Sequence, residues 1–318
     1  MATYVNYDAG KLFAGKASGN LIAGYDQATE DVPPLRRDYI PQEWVARDLI
    51  PQLINYNEPI WISGPTGCGK TLGVKWVAAR LRYPVFEITA TPDMSASDLF
   101  GHIGLENGET VWVDGALACA MKQGGIFLLN EIDYLQPSLA AGLNTVLDGS
   151  PLRIPDTGEV IVPEPGFKFI ATANTNGNGD ISGLYVGTNA QNMAFVNRFI
   201  NISASYVNEK QEMAFLIKAY PNLDKTIISY MVKLAGLTRK ALAGEKISSD
   251  YSDITQELTT AISTRSLMRW AKQIEIYKPL AKAGINVVEY ALERSVTTDS
   301  ASMSVLKALL QRVAGSTK

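Results

Sequence analysis

The stretch "PIWISGPTGCGKT", Pro59 to Thr71, decides how this sequence is read. Its first half is short and apolar, as a buried strand is, and its second half fits G-x-x-x-x-G-K-[ST] before the helical "LGVKWVAARL". Glycines in such a loop let backbone N–H groups surround phosphates, the lysine meets the β/γ oxygens, and the last hydroxyl holds Mg²⁺. The nucleotide-binding candidates are Gly64, Pro65, Thr66, Gly67, Cys68, Gly69, Lys70, Thr71 and Leu72, with Thr71 also a metal ligand. A glycine turn with an incidental lysine is the plain alternative, and the strand-loop-helix context argues against it.

Outward from this loop, four more apolar runs alternate with helical or looped segments: "YPVFEITAT" (83–91), "GGIFLLN" (124–130), "FKFIATAN" (167–174) and "NRFINISA" (197–204). Five buried strands joined by long crossovers predict an α/β fold with a parallel sheet covered on both faces. Two hairpins interrupt the pattern, "LENGETVWV" around Asn107-Gly108 and "LRIPDTGEVIV" around Asp156-Thr157-Gly158. Beyond residue 204 apolar residues recur at helical spacing only. The expected organisation is an N-terminal extension (1–38), an αβ nucleotide-binding domain (39–204) and a C-terminal helical domain (205–318). The extension is rich in Gly, Ala, Asn and Asp and reads as an arm; "PQEWVARDLIPQLINYN" reads as a helix interrupted or ended near Pro51.

The strand "FLLNEID" (127–133) offers Asn130 and Glu131 at its end. Glu131 is placed to orient the water that attacks a γ-phosphate, unless it serves only as an acid at a helix N-terminus. Asn130 accepts a hydrogen bond from a metal-bound water through its amide oxygen but lacks a carboxylate's charge, which predicts weakened metal binding with hydrolysis retained. Asp133 lies beyond the strand and is a poorer metal candidate. Asn174 ends "FIATAN", where in a doubly wound sheet a polar residue points at the ligand as a γ-phosphate or water sensor, against a plain turn-forming Asn at the head of "NTNGNGDISGLYVGTN". Arg198 in "NMAFVNRF" is a candidate for the γ-phosphate of a neighbouring subunit, against a surface arginine at a helix end. Arg265 in "STRSLMRW" starts a helix and is favoured over Arg269, one turn later, as a phosphate contact, against a solvated pair of surface arginines. His102, Trp112 and Cys119 read as packing or surface residues, Cys119 as core.

Composition narrows the class. With 46% hydrophobic and 19% charged residues among 318, the chain reads as an ordinary soluble, cytoplasmic protein of two domains. No apolar run approaches the ~18 residues a membrane span needs, and the first twenty residues lack the charged start and apolar core of a signal peptide. One histidine and two separated cysteines, Cys68 and Cys119, make no conventional zinc site. A net charge of -3 with scattered Lys and Arg gives no electrostatic footprint for nucleic acid, which lowers that option without removing it.

The ordered set "GPTGCGKT", "FLLNEID", "FIATANT", "VNRF" and "STRSLMRW" resembles the AAA+ ATPases. The two hairpins resemble the helix-2 and pre-sensor-1 inserts of the MoxR-like branch, and "ATANTNGNGDISGLYVGTNAQNMAFVNRF" is similar to the ATPase subunits of aerobic cobaltochelatases and their relatives. The resemblance covers roughly residues 40 to 275. It implies a P-loop NTPase sheet of order 5-1-4-3-2, a helical lid, and a ring, hexameric in such families, with ATP and Mg²⁺ between subunits. It implies Walker A roles for Lys70 and Thr71, a Walker B glutamate at Glu131, sensor 1 at Asn174, an arginine finger at Arg198 and sensor 2 at Arg265. Asn130 departs from the usual Walker B aspartate.

The function expected from this resemblance is ATP-driven remodelling of a protein client, with a partner carrying a von Willebrand factor A-type domain or as the ATPase subunit of a chelatase. A nucleotide-gated scaffold with little turnover and a nucleic-acid-translocating motor stand as alternatives.

Overall fold

A computed structural model describes residues 2–36, 39–55, 57–180, 183, 185–252, 258–296 and 298–315. Contact density divides the chain into two units: one runs to Pro65 and resumes over Lys70–Ser205, the other holds Thr66–Gly69 and the residues from Tyr206 onward.

The strands of the first unit, in chain order, are β1 (Tyr4–Asp8), β2 (Leu21–Tyr25), β3 (Ile60–Ser63), β4 (Val85–Thr89), β5 (Gly101–Glu106), β6 (Glu109–Asp114), β7 (Ile126–Asn130), β8 (Leu152–Arg153), β9 (Val160–Ile161), β10 (Lys168–Ala173) and β11 (Ile200–Ser203). Five form one sheet in the order β11-β3-β10-β7-β4, every neighbouring pair parallel. Numbering these five along the chain gives the order 5-1-4-3-2, as expected. β3 and β7 are buried at every position, which is why both read as continuous apolar runs rather than alternating ones. One face carries a row of aromatic rings in edge-on contact, Phe127 to Phe169 at 5.0 Å and Trp61 to Phe199 at 5.4 Å.

Both hairpins form. β5 and β6 pair in full register around Asn107 (φ 52°) and Gly108 (φ 86°), the left-handed pair a two-residue turn demands. Their ladder leaves Ile103 and Leu105 exposed. The second hairpin is a two-residue ladder, β8 with β9.

The expected N-terminal arm is corrected by the structure. β1 and β2 pair antiparallel, and Asp8 caps the helix Ala9–Ala14 while also accepting the N–H groups of Ser18 and Gly19. These backbone donors, Lys11 first, hold the Asp8 carboxyl down at about 2. The Tyr25 hydroxyl donates to Gly124 O at 2.9 Å, Arg80 donates to Leu12 O at 2.7 Å, and Tyr4, Tyr25 and Tyr83 form a trio of edge-on rings. Partners so distant in sequence leave no local signal, so a Gly- and Ala-rich stretch reads as an extension. The following helix is not ended by proline: a π-helical turn (Val45–Leu49) runs directly into Ile50–Asn55, and Pro51, which has no N–H to give the preceding turn, sits just after that irregular stretch of the ladder. Cys119 is half-buried rather than core.

At the start of β10, burial pushes Lys168 down to about 8, and its ammonium donates to Asn57 Oδ1. Below that pH the lysine is charged in both states and its burial cost is full; between there and its ordinary value near 10.4, the unfolded chain keeps a proton that the folded chain has released, so stability rises with pH. Lys168→Met is therefore expected to stabilise the protein by about 2 kcal/mol at pH 7, with the gain shrinking through pH 8 to 10. Urea midpoints of both proteins at pH 7 and pH 9.5 check it; a gain equal at both values contradicts it.

The second unit is helical, with main helices Glu209–Ala219, Lys225–Leu242, Thr264–Tyr277, Val287–Glu293 and Ser300–Gly315. Each of the first four starts at a side-chain cap, from Asn208, Asp224, Ser263 and Asn286 respectively. Leu267, Trp270, Ala271 and Ile274 recur at helical spacing and are buried with Ile228, Met231, Leu306 and Leu309. Inside it, Arg239 meets Glu212 in a two-point ion pair (2.8 and 2.9 Å), donates from Nε to Ile262 O at 2.8 Å, and lies over the ring of Tyr206. Among the described residues no helix is long and apolar enough to cross a membrane.

Candidate functional site

Buried polar side chains are costly unless satisfied, and in the first unit several of them gather at the carboxyl ends of the sheet strands: Ser63, Lys70, Asn130, Asp133 and Thr172. The loop between β3 and the helix Lys70–Leu81 places three glycines at positive φ, Gly64 (154°), Gly67 (76°) and Gly69 (93°). At the latter two an L side chain is strained, and a Cβ on Gly64 would stand 2.3 Å from Ala204 O. Glycine is therefore fixed here by backbone geometry, as a loop that turns its N–H groups toward phosphates requires.

Lys70 is 7% exposed; its ammonium donates to Gly64 O at 2.7 Å, Pro65 O at 3.3 Å and Asn174 Oδ1 at 3.0 Å. The other end of the Asn174 amide donates to Glu131 Oε2, so one side chain bridges the lysine and the glutamate. Glu131 itself sits in the left-handed region (φ 54°, ψ 42°), a conformation that costs a non-glycine residue about 1 kcal/mol and that turns its carboxylate out of the strand direction. Asp133 is fully buried: Oδ2 accepts the N–H groups of Asn174 (2.9 Å) and Thr175 (3.1 Å), which anchors the end of β10. Burial first, then the Asp133 and Glu131 carboxylates, pushes the Tyr134 hydroxyl up.

Beside this chain lies a second one. The Thr71 hydroxyl donates to Asn130 Oδ1 at 2.7 Å, the Thr172 hydroxyl donates to the same oxygen at 3.0 Å, and Asn130 Nδ2 donates to Glu87 Oε1 at 2.7 Å. Among the described residues no group of three His, Cys, Asp or Glu is placed to cage a metal. The hydroxyl and amide oxygens of Thr71 and Asn130, held side by side, do fit magnesium, a hard cation that takes one or two protein oxygens and completes its shell with phosphates and water.

The sequence candidates Lys70, Thr71, Asn130, Glu131 and Asn174 are thus brought together. Cys68 is buried within the loop and Leu72 is exposed on its helix. Arg198 is elsewhere: its guanidinium takes both oxygens of Asp148 (2.8 and 3.2 Å) and Ala194 O, on a half-exposed surface. Arg265 and Arg269 are exposed in the first turns of Thr264–Tyr277. Within the second unit, where Thr66–Gly69 group, a Cβ on Gly67 would meet Ser263 Oγ at 2.6 Å and Arg265 Cβ at 3.7 Å, and the Tyr206 hydroxyl donates to Thr66 O. Sequence reasoning missed Glu87, Lys75 and Thr172. For Glu87 a signal existed, a charge inside the otherwise apolar "YPVFEITAT".

A parallel sheet of this order, with a glycine loop after its central strand and polar residues at the neighbouring strand ends, is that of a P-loop NTPase. Residues 59–199 match the AAA domain (dynein-related subfamily) and residues 212–313 match the CbbQ/NirQ/NorQ C-terminal domain. Among curated relatives, the aerobic cobaltochelatase subunit CobS of Sinorhizobium sp is 30% identical over 82% of this chain and 78% of its own. Protein NorQ of Paracoccus denitrificans is 30% identical over 81% and 87%. The denitrification regulatory protein NirQ of Stutzerimonas stutzeri is 30% identical over 60% and 67%. The fold is also that of a RuvB mutant from Thermotoga maritima, with TM-score 0.51 at 15% identity over 85% of this chain and 75% of that one. The chain belongs to the AAA+ ATPases of the CbbQ, NorQ and CobS type, in the MoxR-like branch.

Proposed function

We propose that this protein binds ATP with Mg²⁺ in the Gly64–Leu72 loop and hydrolyses it, and that turnover drives remodelling of a partner protein. The observation that carries this reading is the continuous chain Lys70–Asn174–Glu131 beside the oxygen pair of Thr71 and Asn130. When bound, magnesium supplies charge neutralisation at the phosphates. Lys70 and the loop N–H groups hold the β- and γ-phosphates; Glu131 orients water and takes up its proton; Asn174 fixes the Glu131 carboxylate and reports on the γ-phosphate position.

A ring, with six subunits as the leading expectation, puts Arg198 at a neighbour's γ-phosphate and Arg265 at the phosphates as a sensor. Arg198 supports this by lying outside the Lys70 cluster, held at a surface by Asp148 and Ala194 O. The relatives carry names of a chelatase subunit and a denitrification regulator, which supports work done for another protein, a partner with a von Willebrand factor A-type domain being the leading type. Exposed Ile103 and Leu105 on the first hairpin offer it apolar contact. The neutral Asn130 favours a second reading, a nucleotide-gated scaffold with little turnover.

The test is ATP hydrolysis with magnesium and protein concentration both varied. Turnover that requires magnesium and rises steeply with protein concentration is expected; assembly on ATP without turnover supports the scaffold. Arg198→Ala is expected to cut turnover by about 100-fold or more, and mixing it with Glu131→Gln subunits to restore part of it, since a mixed ring regains interfaces carrying both native groups. Turnover of Arg198→Ala near the native rate removes the arginine from the mechanism.

A further inference from the structure

The carboxylate of Glu87, in the middle of β4, divides its two oxygens. Oε1 accepts from Asn130 Nδ2 at 2.7 Å, and Oε2 is paired with Lys75 on the helix that follows the glycine loop. A carboxylate only accepts, so the amide nitrogen must face Glu87 and the amide oxygen must face the Thr71 and Thr172 hydroxyls, which are free to donate. The orientation of Asn130, 7% exposed at the end of β7, is therefore set by the strand beside it.

We propose that Glu87 is a positioning residue for the metal-facing oxygen of Asn130, and that acid and amide act as one unit, with the charge on β4 and the ligand oxygen on β7. The proposal rests on the magnesium-nucleotide reading above and deepens it. Its consequence runs against expectation from the family pattern: placing an aspartate at 130 does not by itself improve the site. It sets a second carboxylate against Glu87 at hydrogen-bond distance, removes the donor that Glu87 uses, and leaves Lys75 to balance two charges. Neutralising position 87 in the same chain reverses this, because a glutamine there donates to the new aspartate.

The experiment compares the native chain with Glu87→Gln, Glu87→Ala, Asn130→Asp and the double variant Glu87→Gln/Asn130→Asp. Two quantities are read: the thermal midpoint without nucleotide, and the affinity for a fluorescent ATP analogue in EDTA and across a magnesium titration. Glu87→Ala and Asn130→Asp are each expected to raise the magnesium needed for half-saturation by about 10-fold, with analogue binding in EDTA little changed. Glu87→Gln keeps an acceptor for Nδ2 and stays near the native value. The double variant recovers the native magnesium requirement and the thermal midpoint that Asn130→Asp lowers, a coupling that a residue with only a packing role would not produce.

Asn130→Asp binding magnesium-nucleotide as well as the native chain, with no coupling to position 87, overturns the proposal. A native chain whose analogue binding is indifferent to magnesium overturns the functional reading instead, and the thermal midpoints still decide whether positions 87 and 130 act as a pair.

Discussion

Glu131→Gln is expected to lower ATP turnover by about 10²–10⁴-fold while leaving nucleotide affinity within a few-fold of native. Glutamine is isosteric, and its carbonyl still accepts the Asn174 amide proton, so the bridge from Lys70 is kept. The loop glycines, Lys70 and Thr71 are untouched, so ground-state binding has no reason to fall. What disappears is a group able to take a proton from water. Steady-state hydrolysis and analogue binding on the same preparations separate the two effects. Turnover within threefold of native would assign the base elsewhere; loss of binding in proportion would make Glu131 a structural residue.

The largest stability effect is expected in the helical unit. Arg239→Ala leaves the Glu212 carboxylate, 1% exposed, without its counter-charge, strands Ile262 O, and removes the cation from above Tyr206. Breaking a buried pair from one side costs about 3–5 kcal/mol, because the surviving charge cannot reach water. Arg239→Lys is expected to recover little, since an ammonium lacks the planar fork that meets both carboxylate oxygens of Glu212 side by side while Nε serves Ile262 O. The double variant Arg239→Met/Glu212→Leu is expected to be less destabilised than Arg239→Ala alone, as it leaves no charge buried. Urea unfolding of the full chain measures all three. A cost for Arg239→Ala below about 1 kcal/mol would mean that water reaches Glu212 after all.

Much of the sheet was legible because a strand buried on both faces is apolar along most of its length, as "IWI" and "IFLL" are, with Ser63 and Asn130 at the ends of these two runs. The loop was legible because its glycines answer to backbone geometry rather than to packing. Contacts between distant segments were not legible. Nothing near "LIAGY" announces that Tyr25 will bond to Gly124, so β1 and β2 were read as an arm. Glu87 was missed for a related reason: its partners Asn130 and Lys75 meet it only once three elements are assembled. Arg198 shows the reverse case, a residue singled out by its place in a motif whose own subunit gives it a surface partner, Asp148.

The three acceptors of Lys70 belong to two distant pieces of chain: Gly64 O and Pro65 O in the turn after β3, and Asn174 Oδ1 past the end of β10. One side chain therefore fastens the glycine turn to the neighbouring strand end. Lys70→Met removes more than a charge, because it unties the two segments from each other and leaves two loop carbonyls and one amide to find new donors.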